Sequence, residues 1–117
     1  MSAAQAPRSA VPRDVETELE RVVRRWRQLP LDHALTYAAR VRALVQSLAD
    51  EVSAAHGIPA TQVPDWGPAT LMDQLTVMVY DLMVYELRVQ KGTEEVQRSA
   101  RSTRLAQELA TLRRELG

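Results

Sequence analysis

The chain has 117 residues, of which 45 % are hydrophobic and 26 % charged, with fifteen basic residues balancing fifteen acidic ones. That length and hydrophobic content suit one domain with a core of its own and exclude disorder by composition. Zero net charge removes any global attraction for phosphate backbones, and the absence of cysteine removes disulfides, thiolate catalysis and cysteine-based metal sites.

Residues 1–12, MSAAQAPRSAVP, are rich in Ala, Ser and Pro and lack periodicity. They read as a flexible tail preceding a single helical domain at 13–117. They carry no long apolar stretch of the kind a secretory signal needs. The first helix is expected from about Asp14 to Leu29. Val15, Leu19, Val22, Trp26 and Leu29 step by four, three, four and three, which is a one-face pattern. Its acids come early and its bases late, complementing the helix dipole. Pro30 ends it.

The second helix is expected over about Asp32 to His56, with Leu35, Ala38, Val41, Val45, Leu48, Val52 and Ala55 as its apolar face. Its many alanines favour helix and permit close packing. Gly57 suits the C′ position and Pro59 follows it. Residues 57–67, GIPATQVPDWG, form the one substantial internal loop. Pro68 then sits in the first turn of a third helix, with Asp65 or Gly67 near its N-cap.

That third segment, PATLMDQLTVMVYDLMVYELRVQK, is apolar on nearly all sides. At about 100° per residue, Leu71, Leu75, Met78, Leu82 and Val89 make one stripe, and Val77, Tyr80, Val84 and Leu87 lie on the far side. One small bundle covers one broad stripe, so the second stripe points to a central position or to a partner chain. Asp73, Asp81 and Glu86 interrupt the run, so a membrane span is not expected. Gly92 closes the helix and Thr93 caps the next. The fourth helix, about Thr93 to Leu116, is weakly apolar at first. It ends in a seam of Leu105, Leu109, Leu112 and Leu116, only about two heptads long. Short connections at 30 and 92 imply antiparallel neighbours, and the fold class is an all-α, up-and-down four-helix bundle with a flexible N-terminal tail.

Chemistry-bearing residues are few. The two histidines, His33 and His56, lie at opposite ends of the second helix, and no Glu-x-x-His motif occurs, so no metal or other cofactor is expected. No nucleophile motif, phosphate loop or catalytic dyad is visible, so enzymatic activity is not expected. Asp73 lies off the polar edge formed by Gln74, Asp81 and Arg88. Together with Trp66 it is the candidate for a pocket, Trp66 acting as a lid on the bundle end or as an anchor for a partner. Arg21, Arg24 and Arg25, with Arg98, Arg101 and Arg104, are candidates for phosphate contact. Against that stands a solvated face, with Glu20–Arg24 and Glu94–Arg98 as i,i+4 ion pairs. The expected function is that of a small non-catalytic, cytoplasmic interaction module. It would form a homo-oligomer, most simply a dimer, or dock a larger protein. The interface would run over Tyr80, Val84, Leu87, Leu105, Leu109, Leu112 and Leu116. The alternatives are a nucleic-acid-associated regulator and a small-molecule-binding bundle.

Overall fold

The computed structural model describes residues 11–89 and 94–117, and the side chains of 11–85 and 100–117. Over these the chain is an all-α bundle of four helices: α1 (Arg13–Gln28), α2 (Leu31–Ala55), α3 (Leu71–Val89) and α4 (Glu94–Leu116). A 3-10 turn, Pro68–Thr70, leads into α3. The ordered domain begins before residue 13. Val11 is buried in the core, and the Pro12 carbonyl accepts the Glu16 N–H at 2.9 Å. Residues 1–10 of the expected tail, and the Gly92–Thr93 junction, lie outside the described residues.

Local chemistry sets the helix ends. Leu29 precedes Pro30, and the proline ring pushes it into extended geometry (φ −74°, ψ 138°), which ends α1 within one residue. Pro30 is itself the N-cap of α2. At the other end of α2, Gly57 takes φ +69°. Its N–H reaches Ala54 O at 3.1 Å, and the Ile58 N–H reaches Ser53 O at 3.0 Å, the bond pair of a Schellman motif. Gly67, at φ +91°, makes the second left-handed turn, and its N–H is held by Asp65 Oδ1 at 3.1 Å.

Side-chain contacts fix the helix directions. Arg40 pairs with Glu115 at 2.9 Å and Arg104 with Glu51 at 3.2 Å, so α2 and α4 are antiparallel. Arg113 pairs with Glu18 at 2.9 Å, and the Arg25 guanidinium lies beside Gly117, so α1 and α4 run the same way. The antiparallel relation expected across residue 30 follows from these two. The His56 and Tyr85 rings meet at 4.9 Å, whereas Arg42 reaches back to Asp65 at 3.1 Å. The chain therefore doubles back along α2 through 57–67, and α3 starts beside the middle of α2 and runs in the same direction. Alternation from helix to helix is interrupted at this one connection, because the loop is long enough to return along a helix before the next one begins. Helix α1 packs mainly on α4 and α2 mainly on α3, while α3 also touches α1 and α4.

The core draws on all four helices. Val15, Leu19, Val22 and Trp26 of α1 are buried as their spacing predicts. On α2 the buried face is Ala34, Val41, Leu44, Val45 and Leu48. Leu35, expected inside, is exposed because the buried stripe lies about a third of a turn away. Met72 and Met83 fill the core beside the α3 stripe, and Met78 packs against it. The seam Leu105, Leu109, Leu112 and Leu116 is buried within the chain itself, and this corrects its assignment to an intermolecular interface. These leucines pack in the core that α1 and α4 share and are unavailable to a partner. No described helix is long and apolar enough to cross a membrane.

Leu109→Ala removes a fully buried side chain from the middle of this seam. It should lower stability by about 2–5 kcal/mol in urea unfolding with the m-value unchanged. Leu31→Ala, at an exposed position, should change it by less than about 0.5 kcal/mol.

Candidate functional site

The covered side of α3 is its Leu71, Leu75, Val79, Leu82 and Met83 face. The opposite side remains open. Val77 is 51 % exposed, Tyr80 is 37 % exposed, Asp73 and Asp81 are exposed and Val84 is half-buried. At about 100° per residue Asp73, Val77, Tyr80 and Val84 fall within a sector of about 60°, so they form one outer ridge. This is the second apolar stripe anticipated from the sequence, without Leu87, whose side chain lies outside those described. Each flank of the ridge is a groove.

The groove between α3 and α2 has a volume of about 520 Å³. Val52, Val63, Pro64, Trp66, Val77 and Met78 supply its apolar lining, with Asp73 and Gln74 on the α3 side. Its far wall is the returning loop, and Gln46 holds that wall in place. The Gln46 Nε2 donates to Thr61 O at 2.9 Å and to Asp50 Oδ1 at 2.8 Å, while its Oε1 accepts the Val63 N–H at 2.8 Å. Gln74 Nε2 adds a bond to Pro64 O at 3.0 Å, which leaves Gln74 Oε1 buried without a hydrogen-bond partner. Trp66 and Asp73, paired from the sequence as pocket residues, do line this one groove. Trp66 is not a lid on the bundle end, however: it stands 67 % exposed on the groove wall, because the loop is secured by Gln46 and Arg42 and does not need the indole for its packing. Asp73 is not a buried carboxylate. It faces solvent in the first turn of α3, where the helix dipole favours an acid.

The groove between α3 and α1 has a volume of about 480 Å³ and is lined by Glu16, Leu19, Glu20, Val23, Arg24, Arg27, Gln28, Thr76 and Tyr80. The expected Glu20–Arg24 ion pair is not formed. Arg21 instead pairs with Glu18 at 3.4 Å, and Glu18 also takes Arg113. The arginine candidates for phosphate contact are therefore divided. Arg21 is engaged by Glu18 and Arg104 by Glu51, Arg101 has a bonding partner, and Arg25 turns toward Gly117 with its Nε buried and unpaired. Only Arg24 of that set lines the groove, beside Arg27. Arg98, like Glu94, has its side chain outside those described.

Sequence reasoning missed Gln46 and the loop residues Val63 and Pro64; it took Arg24 as a candidate for phosphate contact or as the partner of Glu20, and did not place Glu16, Glu20, Arg24 and Arg27 together. Their spacing of four, four and three was a legible sign of one shared helix face. Among the described residues no group of three or more His, Asp or Glu is placed to hold a metal ion. Comparison of the chain with protein-family models, with curated proteins and with solved structures finds no match.

Gln46→Ala removes three hydrogen bonds from the joint between loop and helix. Stability should fall by about 1–3 kcal/mol. The amide hydrogens of 61–66 should lose protection in hydrogen exchange, while those of α1 and α4 keep theirs.

Proposed function

We propose that this chain is a small non-catalytic interaction module that docks a protein through the outer ridge of α3. The observation that carries the reading is the exposed apolar pair Val77 and Tyr80 on a helix whose other side is buried, with a groove on each flank. Apolar ridges between grooves are shaped for helix packing, in which the side chains of one helix seat between those of another. Aromatic groups such as Tyr80 and Trp66 supply large contact area at small entropic cost, as interface anchors do. The leucine seam of α4 is excluded from this surface because the bundle already covers it.

The reading as a nucleic-acid-associated regulator has less support, since Arg21 and Arg104 are already paired with glutamates and the chain is neutral overall. A small-molecule reading draws on the groove beside α2, whose volume falls in the range of ligand sites and whose wall holds the unpaired acceptor Gln74 Oε1. It requires an apolar compound bearing an N–H or O–H donor. A fragment library of such compounds should then raise the melting temperature of the native chain, and the rise should vanish in Gln74→Leu. No rise with any fragment removes this reading.

The docking surface is tested by photo-crosslinking in cells from a single position. A photoreactive amino acid at Val77 should give a discrete adduct that is lost in the Tyr80→Asp background, and the same group at exposed Ala43 on α2 should give none. Equal labelling from both positions, or none from Val77, overturns the proposal. The adduct mass separates a second copy of the chain from a different protein.

A further inference from the structure

The groove beside α1 carries an ordered row of charges. Glu16 and Glu20 lie toward the start of α1, Arg24 and Arg27 toward its end, and all four line the same cleft. No ion pair or side-chain hydrogen bond joins any of them to another described residue. Among the described residues, Arg21, Arg40, Arg42, Arg104 and Arg113 by contrast each hold a carboxylate. Two acids and two bases on one helix face, within about three turns and mutually unpaired, form a surface whose complement is its own reverse.

We infer that a second copy of this chain occupies the groove beside α1, with the two α1 helices antiparallel about a twofold axis at the height of residue 22 along the helix. The register follows from the sequence positions. The midpoint of Glu16 and Arg27 and the midpoint of Glu20 and Arg24 fall within half a residue of each other, so one axis pairs both sets. Each copy then offers Glu16 to Arg27 of the second copy and Glu20 to Arg24 of the second copy, four ion pairs in all. Leu19 and Val23 floor the groove between them, and their midpoint lies one residue from the same axis. Tyr80, at the α3 edge of the groove, closes over the apolar centre. An isologous interface needs one patch complementary to itself, and an acid-to-base row along a helix meets that need only when the second helix is reversed. The apolar floor and Tyr80 supply attraction, and the charges select the antiparallel register over the parallel one, in which acid would face acid.

This inference rests on the reading of the chain as a protein-binding module, and it fails separately from it. The test is light scattering coupled to size exclusion on the purified chain, from about 1 to 200 µM. The native chain should show a concentration-dependent dimer. Glu16→Lys with Glu20→Lys, and Arg24→Glu with Arg27→Glu, should each raise the dimer dissociation constant at least about tenfold, because each places like charges across the axis. Mixing the two double variants should restore the dimer as a heterodimer. Circular dichroism checks that each variant keeps its helix content and melting transition. If a variant unfolds, the single changes Glu20→Lys and Arg24→Glu replace it with the same mixing step. A native chain that stays monomeric across the range overturns the inference. So does a dimer that both charge reversals leave intact, or one that mixing fails to restore. A monomer in this assay, combined with a discrete Val77 adduct to a different protein in cells, would remove the second copy and leave the docking function standing.

Discussion

The arrangement of this protein depends on a loop that lies down along the helix it has just left. Residues 57–67 turn at Gly57, run back over α2 and are fastened there by Gln46 and Arg42 before Gly67 and Pro68 start α3. Had the loop been a tight turn, α3 would have been antiparallel to α2 and would have started at its C-terminal end. Because it returns first, the two helices run together, with the loop as a third wall beside them. The groove lined by Trp66 and Val63 exists only because of that return. Among the described residues, no further helix covers the side of α3 turned away from α1, α2 and α4. A glutamine is well suited to the joint: its amide both donates and accepts, so one side chain satisfies Thr61 O and the Val63 N–H where no regular hydrogen-bond ladder is available.

The two halves of the core answer different demands. Helices α1 and α4 each bury one clean stripe and pack against each other, with their polar faces turned away from that contact. Helix α3 is apolar all round and is satisfied on one side only. The exposed ion pairs Arg40–Glu115 and Arg104–Glu51 add little stability, since surface pairs contribute about 0–1 kcal/mol each. They mark the antiparallel relation of α2 and α4. The leucine seam contributes to the core that holds the fold, and function, as proposed, resides in the stripe the seam does not reach. The two are separable by mutation because they occupy different helices and opposite sides of the core.

Much of the fold was legible in the residues. The four helices fall within a few residues of their expected ends, because the signals that end them are local: Pro30 acting on Leu29, Gly57 accepting a left-handed turn, Pro68 opening a helix. The buried faces of α1 and α4 followed from the three- and four-residue steps of Val15 to Trp26 and Leu105 to Leu116. Less was legible of the site. Leu35 and Ala34 are adjacent and both apolar, and only the way the first turns of α2 seat in the bundle decides which of them is inside. The leucine seam looked like an intermolecular contact because its sequence cannot say which helix it will meet. Glu20 and Arg24 have the spacing of an ion pair, yet they do not pair, whereas Glu18 takes Arg21 from its own helix and Arg113 from α4.

By itself, then, the sequence determined the number, position and amphipathic faces of the helices. These depend on periodicity and on backbone preferences that act over a turn or two. The tertiary structure decided the direction of α3, which of its two apolar stripes is covered, and which charges along α1 are left without partners. Those outcomes hang on the path of residues 57–67 and on contacts between residues far apart in the chain. No local period encodes such contacts, so they existed only once the chain had folded back on itself.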